Sequence, residues 1–245
     1  MAEWSDPRVT QNHAGVTIDG KPVASTAVDA GLRAHMLKVY NYMTSGVLLT
    51  GIVALLFANS GMAAQVMATP LRWLIILSPL AFIMVMSFGI NKLSTGALQA
   101  MFWAFAAVMG LSMSTIFLVY SGESIARTFF VTAAAFASLS LWGYTTKRDL
   151  SGFGVFLFMG LLGIIIASIV NIFMKSDMME FIISIAGVVI FAGLTAFDTQ
   201  KLKYQYYQLG GDSRSMAVAT NYGALNLYLD FINLFQFIMS LLSRR

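Results

Sequence analysis

Long apolar runs alternate with short polar breaks along most of this chain. The runs fall at about 41–58, 73–91, 98–120, 125–145, 153–173, 179–200 and 222–242. Each is close to the ~20 residues an α-helix needs to cross a ~30 Å hydrocarbon core. The breaks are short, as expected where consecutive helices run up and down beside one another. Gly160 and Gly163 in the fifth run, and Gly187 and Gly193 in the sixth, let neighbouring helices approach closely. Pro79 falls inside the second run and is expected to kink it. The pattern predicts an all-α, polytopic membrane protein whose residues 31–245 form one seven-helix membrane domain.

Residues 1–30 break the pattern. They are polar and mixed, with Pro7, Gly15, Gly20 and Pro22, and read as a mostly disordered soluble tail. They lack the charged start and apolar centre of a signal peptide. Ser25 or Thr26 can cap a helix that leads into the first run.

Composition narrows the solvent. The chain is 58% hydrophobic and 11% charged, with a mean hydropathy of +0.76. A soluble domain is ~25% charged, so too few charges exist here to cover a water-facing surface. Cysteine is absent, which excludes disulfides, thiolate metal sites and cysteine nucleophiles. His13 and His35 precede the first apolar run, so no imidazole is expected within the membrane to carry protons or bind metal, and no resident cofactor is expected. The net charge of +4 is scattered through loops and does not point to nucleic acid.

Those loop charges set an orientation. With the N-terminus in the cytoplasm, Arg33, Lys38, Lys92, Lys147, Arg148, Lys201, Lys203 and Arg214 lie inside. They outnumber Arg72, Arg127, Lys175, Arg244 and Arg245 outside. The positive-inside bias therefore places the N-terminus in the cytoplasm and, after seven spans, the C-terminus on the opposite side.

Two carboxylates stand out against this apolar background. Asp198 ends the sixth run and Asp230 lies within the seventh. An ionisable group at membrane depth is costly and faces a bundle interior or a wet cavity. The topology brings both to similar depth in the cytoplasmic half. Asn226, Asp230 and Asn233 fall on one face of the seventh helix, and Thr195, Asp198 and Thr199 on one side of the sixth, predicting two facing polar stripes. Two close carboxylates commonly hold one proton between them and titrate as a unit. Such a dyad can sense pH, relay protons or ligate a hard cation such as calcium through Asp198 and Asp230. The solvated alternative leaves Asp198 at the interface beside Lys201 and Lys203. Asn171, at the outer end of the fifth run, reads as a helix-end or interhelical hydrogen-bonding residue and not as a ligand.

The sequence FDTQ at 197–200 and LYLDFINLF at 227–235 together resemble the Bax inhibitor family of membrane proteins, and the resemblance covers roughly residues 30–243. The turn Gly143–Gly152 and the stretch Gly160–Phe173 resemble its bacterial branch. The resemblance implies six helices around a central C-terminal seventh, a di-aspartyl pH sensor at Asp198 and Asp230, and a pH-dependent calcium leak. For the bacterial branch it implies the inner (cytoplasmic) membrane. In the bacterial pattern an arginine in a basic cluster ending the second helix latches one aspartate. The comparable residues 88–95 (FGINKLST) offer Lys92 as the candidate latch, a point charge without arginine's bidentate fork.

The leading expectation is a pH-sensitive calcium leak channel gated by the aspartyl pair. The alternative is a non-transporting regulator that binds an ATP-dependent membrane protease, as some bacterial relatives are linked to doing, with the N-terminal tail available to be grasped. An enzyme is not expected. Intramembrane aspartyl proteases also carry two helix-borne aspartates, but Leu227, Tyr228 and Leu229 stand where those enzymes have a Gly-x-Gly approach for substrate. No apolar helix core holds a lysine for a retinal Schiff base.

Overall fold

The computed structural model describes residues 11–12, 15–18, 21–23, 25–89, 94–209 and 213–243, with the side chains of 30–84, 94–209 and 214–243. Three short strands, β1 (Gln11–Asn12), β2 (Gly15–Ile18) and β3 (Lys21–Val23), pair antiparallel in the order β1-β2-β3. They occupy part of the stretch read from sequence as a mostly disordered tail. Among the described residues eight helices follow: α1 (Ser25–Asn59), α2 (Met62–Met67), α3 (Leu71–Gly89), α4 (Thr95–Val119), α5 (Gly122–Thr145), α6 (Ser151–Met174), α7 (Asp177–Gln208) and α8 (Ser213–Leu242).

Six of them, α1 and α4 to α8, are long and apolar enough to cross a membrane. The chain is an integral membrane protein. At 19 residues, with Pro79 in its interior, α3 is the shortest of the long helices. It reaches about 28 Å at ~1.5 Å per residue, just short of the ~30 Å core. The 35 residues of α1 and 32 of α7 are well over that length. The polar start of α1 and the polar end of α7 therefore continue as helix past the membrane.

Side chains explain where several helices begin. Ser94, Ser121 and Ser176 each accept a hydrogen bond from the backbone N–H three residues on, capping α4, α5 and α7. Between α6 and α7 the chain reverses through Lys175, whose φ of 50° is left-handed, while the Asn171 side chain accepts from the Ser176 N–H. Asn171 is thus a helix-end residue, as expected. Before α6, the Asp149 carboxylate accepts from the Ser151 backbone, 2.9 Å away. That bond and one from the Ser151 side chain hold the Asp149 carboxyl below the usual carboxylate range.

Burial is uneven among the spans and greatest on α8. In the most apolar window of α8, 56% of residues are buried, against at most 28% in the other spans. It packs on α7, α1, α5 and α4; α3 lies against α4, and α6 against α7. The core is built from Leu32, Met36, Val39, Met43 and Val47 along one stripe of α1, Phe102 and Phe105 of α4, and Tyr228, Phe231 and Phe235 of α8. Phe102 and Phe105 both meet the Tyr228 ring edge-on, at 5.9 and 5.7 Å. On α6, Phe156, Met159, Ile166 and Phe173 are exposed, which only lipid makes favourable.

Candidate functional site

The seam between α7 and α8 can be followed contact by contact. The Ser184 and Ser240 hydroxyls are 2.9 Å apart. Phe237 lies over Gly187 and stacks on Phe191 with ring centroids 5.8 Å apart. At the other end, Leu202 lies against Gly223. The helices are therefore antiparallel, and their register brings Asp198 and Asp230 within about one turn of each other in depth, between the Phe191–Phe237 and Leu202–Gly223 contacts. Heptad-like spacing on both helices (184, 187, 191, 198, 202 and 223, 230, 237, 240) keeps these residues on the facing sides.

Asp230 is buried, at 4% exposure, and its Oδ2 has no hydrogen-bond partner among the described residues. The charged group that acts on it is Asp198. Asp198 is half-buried and is itself influenced by Lys201, whose ammonium lies 6.0 Å from the centre of the Phe197 ring. One carboxyl is thus sealed in the bundle and the other stands between it and the basic end of α7. A shared proton, or a cation passing between two carboxylates, fits this arrangement.

The remaining seam residues are more self-contained. Thr195 and Thr199 are buried, and each donates its hydroxyl to the carbonyl four residues back, on Phe191 and Thr195. Asn233 donates to Leu229 O, and Asn226 is half-buried. Lys92, the candidate latch, lies outside the described residues. No group of three or more ligating side chains able to hold a metal occurs among the described residues.

The sequence profile of the family described as "Inhibitor of apoptosis-promoting Bax1" matches residues 32–245, which includes every element of this site. The chain belongs to the Bax inhibitor family. It is 48% identical over 229 residues to an uncharacterised protein of Caulobacter vibrioides, covering 89% of this chain and 91% of that one. It is 47% identical over 221 residues to the inner membrane protein YbhL of Escherichia coli, covering 88% and 94%. An uncharacterised Rickettsia prowazekii protein is 43% identical over 218 residues, covering 89% and 92%.

In this Bax inhibitor protein the residues after Asp198 tie the site to neighbouring helices. The Thr199 hydroxyl is 2.8 Å from Ser140 Oγ on α5, and Ser140 in turn meets the Tyr40 hydroxyl of α1. Buried Gln200 accepts from Leu150 N at 2.9 Å and donates to Arg148 O at 2.7 Å, fixing the turn between α5 and α6 against α7. Gln200→Ala leaves the buried Leu150 N–H without its partner, at a cost of about 1–3 kcal/mol. Thermal unfolding in detergent should show a drop of several degrees, since ~1 kcal/mol shifts a domain of this size by about 2–4 °C.

Sequence reasoning missed three of these features. Tyr228 of α8 hydrogen-bonds Thr50 of α1 at 2.6 Å, and Thr50 donates to Ala106 O of α4. The Tyr40–Ser140–Thr199 chain spans three helices. His35 requires a correction. The sequence placed both histidines ahead of the first spanning run, but His35 is buried within Ala30–Asn59, which is long and apolar enough to cross a membrane. Its ring lies 5.5 Å from Tyr206 of α7, and its Nδ1 is 3.4 Å from the Thr220 hydroxyl of α8. The physical reason is that α1 is helical well before its apolar run starts, and packs there on the adjoining ends of α7 and α8. His13 lies outside the described residues. For Tyr228, the one available signal was a large amphipathic ring in an apolar run, whose hydroxyl needs a partner when buried.

Proposed function

We propose that this protein is a pH-sensitive calcium leak channel of the bacterial inner membrane, gated by Asp198 and Asp230. The observation that carries this reading is that both carboxyls lie at similar depth along the α7–α8 seam, with an unpartnered oxygen on buried Asp230. An uncompensated polar atom in the most buried helix destabilises a fold and is retained where it has work to do. With one proton shared, the seam carries a single negative charge; with both carboxyls ionised, it favours a cation. Calcium prefers 6–8 oxygen ligands. Two carboxylates therefore make a station on a pathway, in keeping with ion as cargo and not as resident metal.

In this reading α3 is the seventh span and α8 the central helix. The N-terminus is cytoplasmic and the C-terminus lies on the opposite side. The inner-membrane location rests on YbhL. An aspartyl-protease role does not fit this reading, because Leu227 and Tyr228 are fully buried beside Asp230, where a protease needs room for substrate backbone. A second reading, regulation of an ATP-dependent membrane protease without transport, draws on residues 1–31, which precede the family match.

Calcium flux into dye-loaded liposomes, measured against pH, tests the first reading. Wild type should conduct with a pH dependence that Asp198→Asn and Asp230→Asn each remove. Absent flux, or flux that both variants leave unaltered, discards the gate. Recovery of a membrane protease by the full chain, lost on deleting residues 1–30, would instead favour the regulator.

A further inference from the structure

Helices α1 and α5 both pack on α8 but make little contact with each other. The gap between them is a partly open cavity of about 550 Å³, walled by Met36, Met43, Phe129 and Phe136, with Phe231 of α8 at its base. This volume falls in the ~300–1,000 Å³ range of ligand pockets. Leu37 and Leu141, 52% and 64% exposed, form its lips, so it opens sideways, toward lipid.

The cavity is charged at one end only, and Thr44 is the one polar residue of its lining beyond that end. Its lining runs from Arg33 to Val47 on α1 and from Tyr144 back to Phe129 on α5. That is about 20 Å of helix at ~1.5 Å per residue. Along α5, whose apolar run is 125–145, it therefore reaches from the end of the run past the middle of a ~30 Å core. Arg33 marks the polar end, with Tyr40, Ser140 and Tyr144. A second cation stands close by: Lys203 of α7 donates to Tyr144 O and sits 5.5 Å from the Tyr144 ring centre. Beyond Val47 and Phe129, a smaller apolar cavity of about 90 Å³ shares both residues and Phe231.

We infer that this cleft is a binding site for one anionic phospholipid, with an acyl chain between α1 and α5 and the phosphate at Arg33. Each part of that ligand meets its complement. An apolar slot one leaflet deep fits a single chain. A guanidinium at the headgroup level fits a phosphate, which it can hold through two parallel N–H bonds. A neutral amphiphile leaves Arg33 unused, and a fully apolar molecule leaves the whole rim unused. The bound chain would lie on Phe231, the residue following Asp230, and fill space that the protein leaves open beside α8.

Native mass spectrometry of the full chain, released from nanodiscs of equal phosphatidylglycerol and phosphatidylcholine, tests this. Wild type should retain one phosphatidylglycerol. Arg33→Gln should reduce that retention on the order of tenfold, the size of one lost charge-assisted bond to phosphate. Ala137→Trp, which fills the cleft from its exposed wall, should abolish it. Arg33 is exposed, so its variant folds even where the tryptophan variant does not. Retention of both lipids in their bulk ratio, or of phosphatidylglycerol undiminished in Arg33→Gln, overturns the proposal, as does retention of neither.

Discussion

Gly143→Val should leave little or no folded protein, read as loss of the monodisperse peak in size-exclusion chromatography after mild detergent extraction. Gly143 is on α5, where that helix crosses α7. A Cβ at this position would overlap the Ala196 carbonyl oxygen and lie 2.9 Å from Ala196 Cα. The obstacle is helix backbone, which cannot rotate away as a side chain does, so α5 and α7 must separate. Separation removes the Ser140–Thr199 bond and loosens the segment that holds Asp198. Overpacking a tight core typically costs about 1–3 kcal/mol. A clash with backbone exceeds that and consumes much of the ~5–15 kcal/mol that holds a domain together. Gly163→Ala on α6 is the control. Nothing lies within 4 Å of its Cβ position, so the protein should extract normally, with a melting point at or slightly above wild type.

The contrast between these two glycines marks what the sequence could and could not convey. Both sit in apolar runs, but Gly163 reads as a small residue for close packing and Gly143 as the start of the turn that ends at Gly152. Only the juxtaposition of α5 with α7 shows that Gly143 is the close contact. The membrane class and the all-helical fold were legible because a bilayer imposes length and apolarity directly on the residue order. The helices α3 to α6 begin and end within a few residues of their apolar runs. The start of α1 was legible from the capping residues Ser25 and Thr26, but the last turns of α7 and the first turns of α8 were not, since beyond the membrane a helix needs no apolar run. The burial of His35 was not legible either, because it comes from α7 and α8 packing on α1 at that point. The short helix α2 falls in a break between runs and carries no period of its own.

The aspartates announced themselves, because a carboxyl among Leu229, Phe231 and Ile232 has no other reading at membrane depth. Their similar depth followed from span length and topology, and the α7–α8 register puts them within about a turn of each other. Thr199 was expected to face α8, whereas its hydroxyl bonds to Ser140 of α5. A polar stripe read from helical spacing fixes an angle on one helix and leaves the identity of the neighbour open. Tyr40, Ser140 and Thr50 look ordinary in their runs and acquire roles only through contacts across the bundle.

The last expectation separates structural from functional cost at the aspartyl pair. Asp230→Asn should fold, melt at or above the wild-type temperature and lose the pH dependence of flux. In wild type, a carboxyl with an unpartnered oxygen is buried in the most buried helix, facing a second carboxyl across the seam. Keeping charge there is unfavourable, by several kcal/mol for an uncompensated ion. The amide keeps the shape and cannot ionise, so it relieves that penalty. Returning even about 1–3 kcal/mol raises the melting temperature by several degrees for a domain of this size. Asp198→Asn should give a smaller gain, since Asp198 is half-buried and has Lys201 near it. The double variant should be less stable than the sum of the single gains predicts. Removing either charge already relieves the other, so a coupling of about 0.5–3 kcal/mol is expected for groups in one network. A variant that gains stability while losing a pH-dependent activity identifies a residue kept for what it does. A fall of several degrees in Asp230→Asn would instead make the carboxylate a structural element of the bundle, and additive single effects would mean that the two carboxyls do not act as a pair.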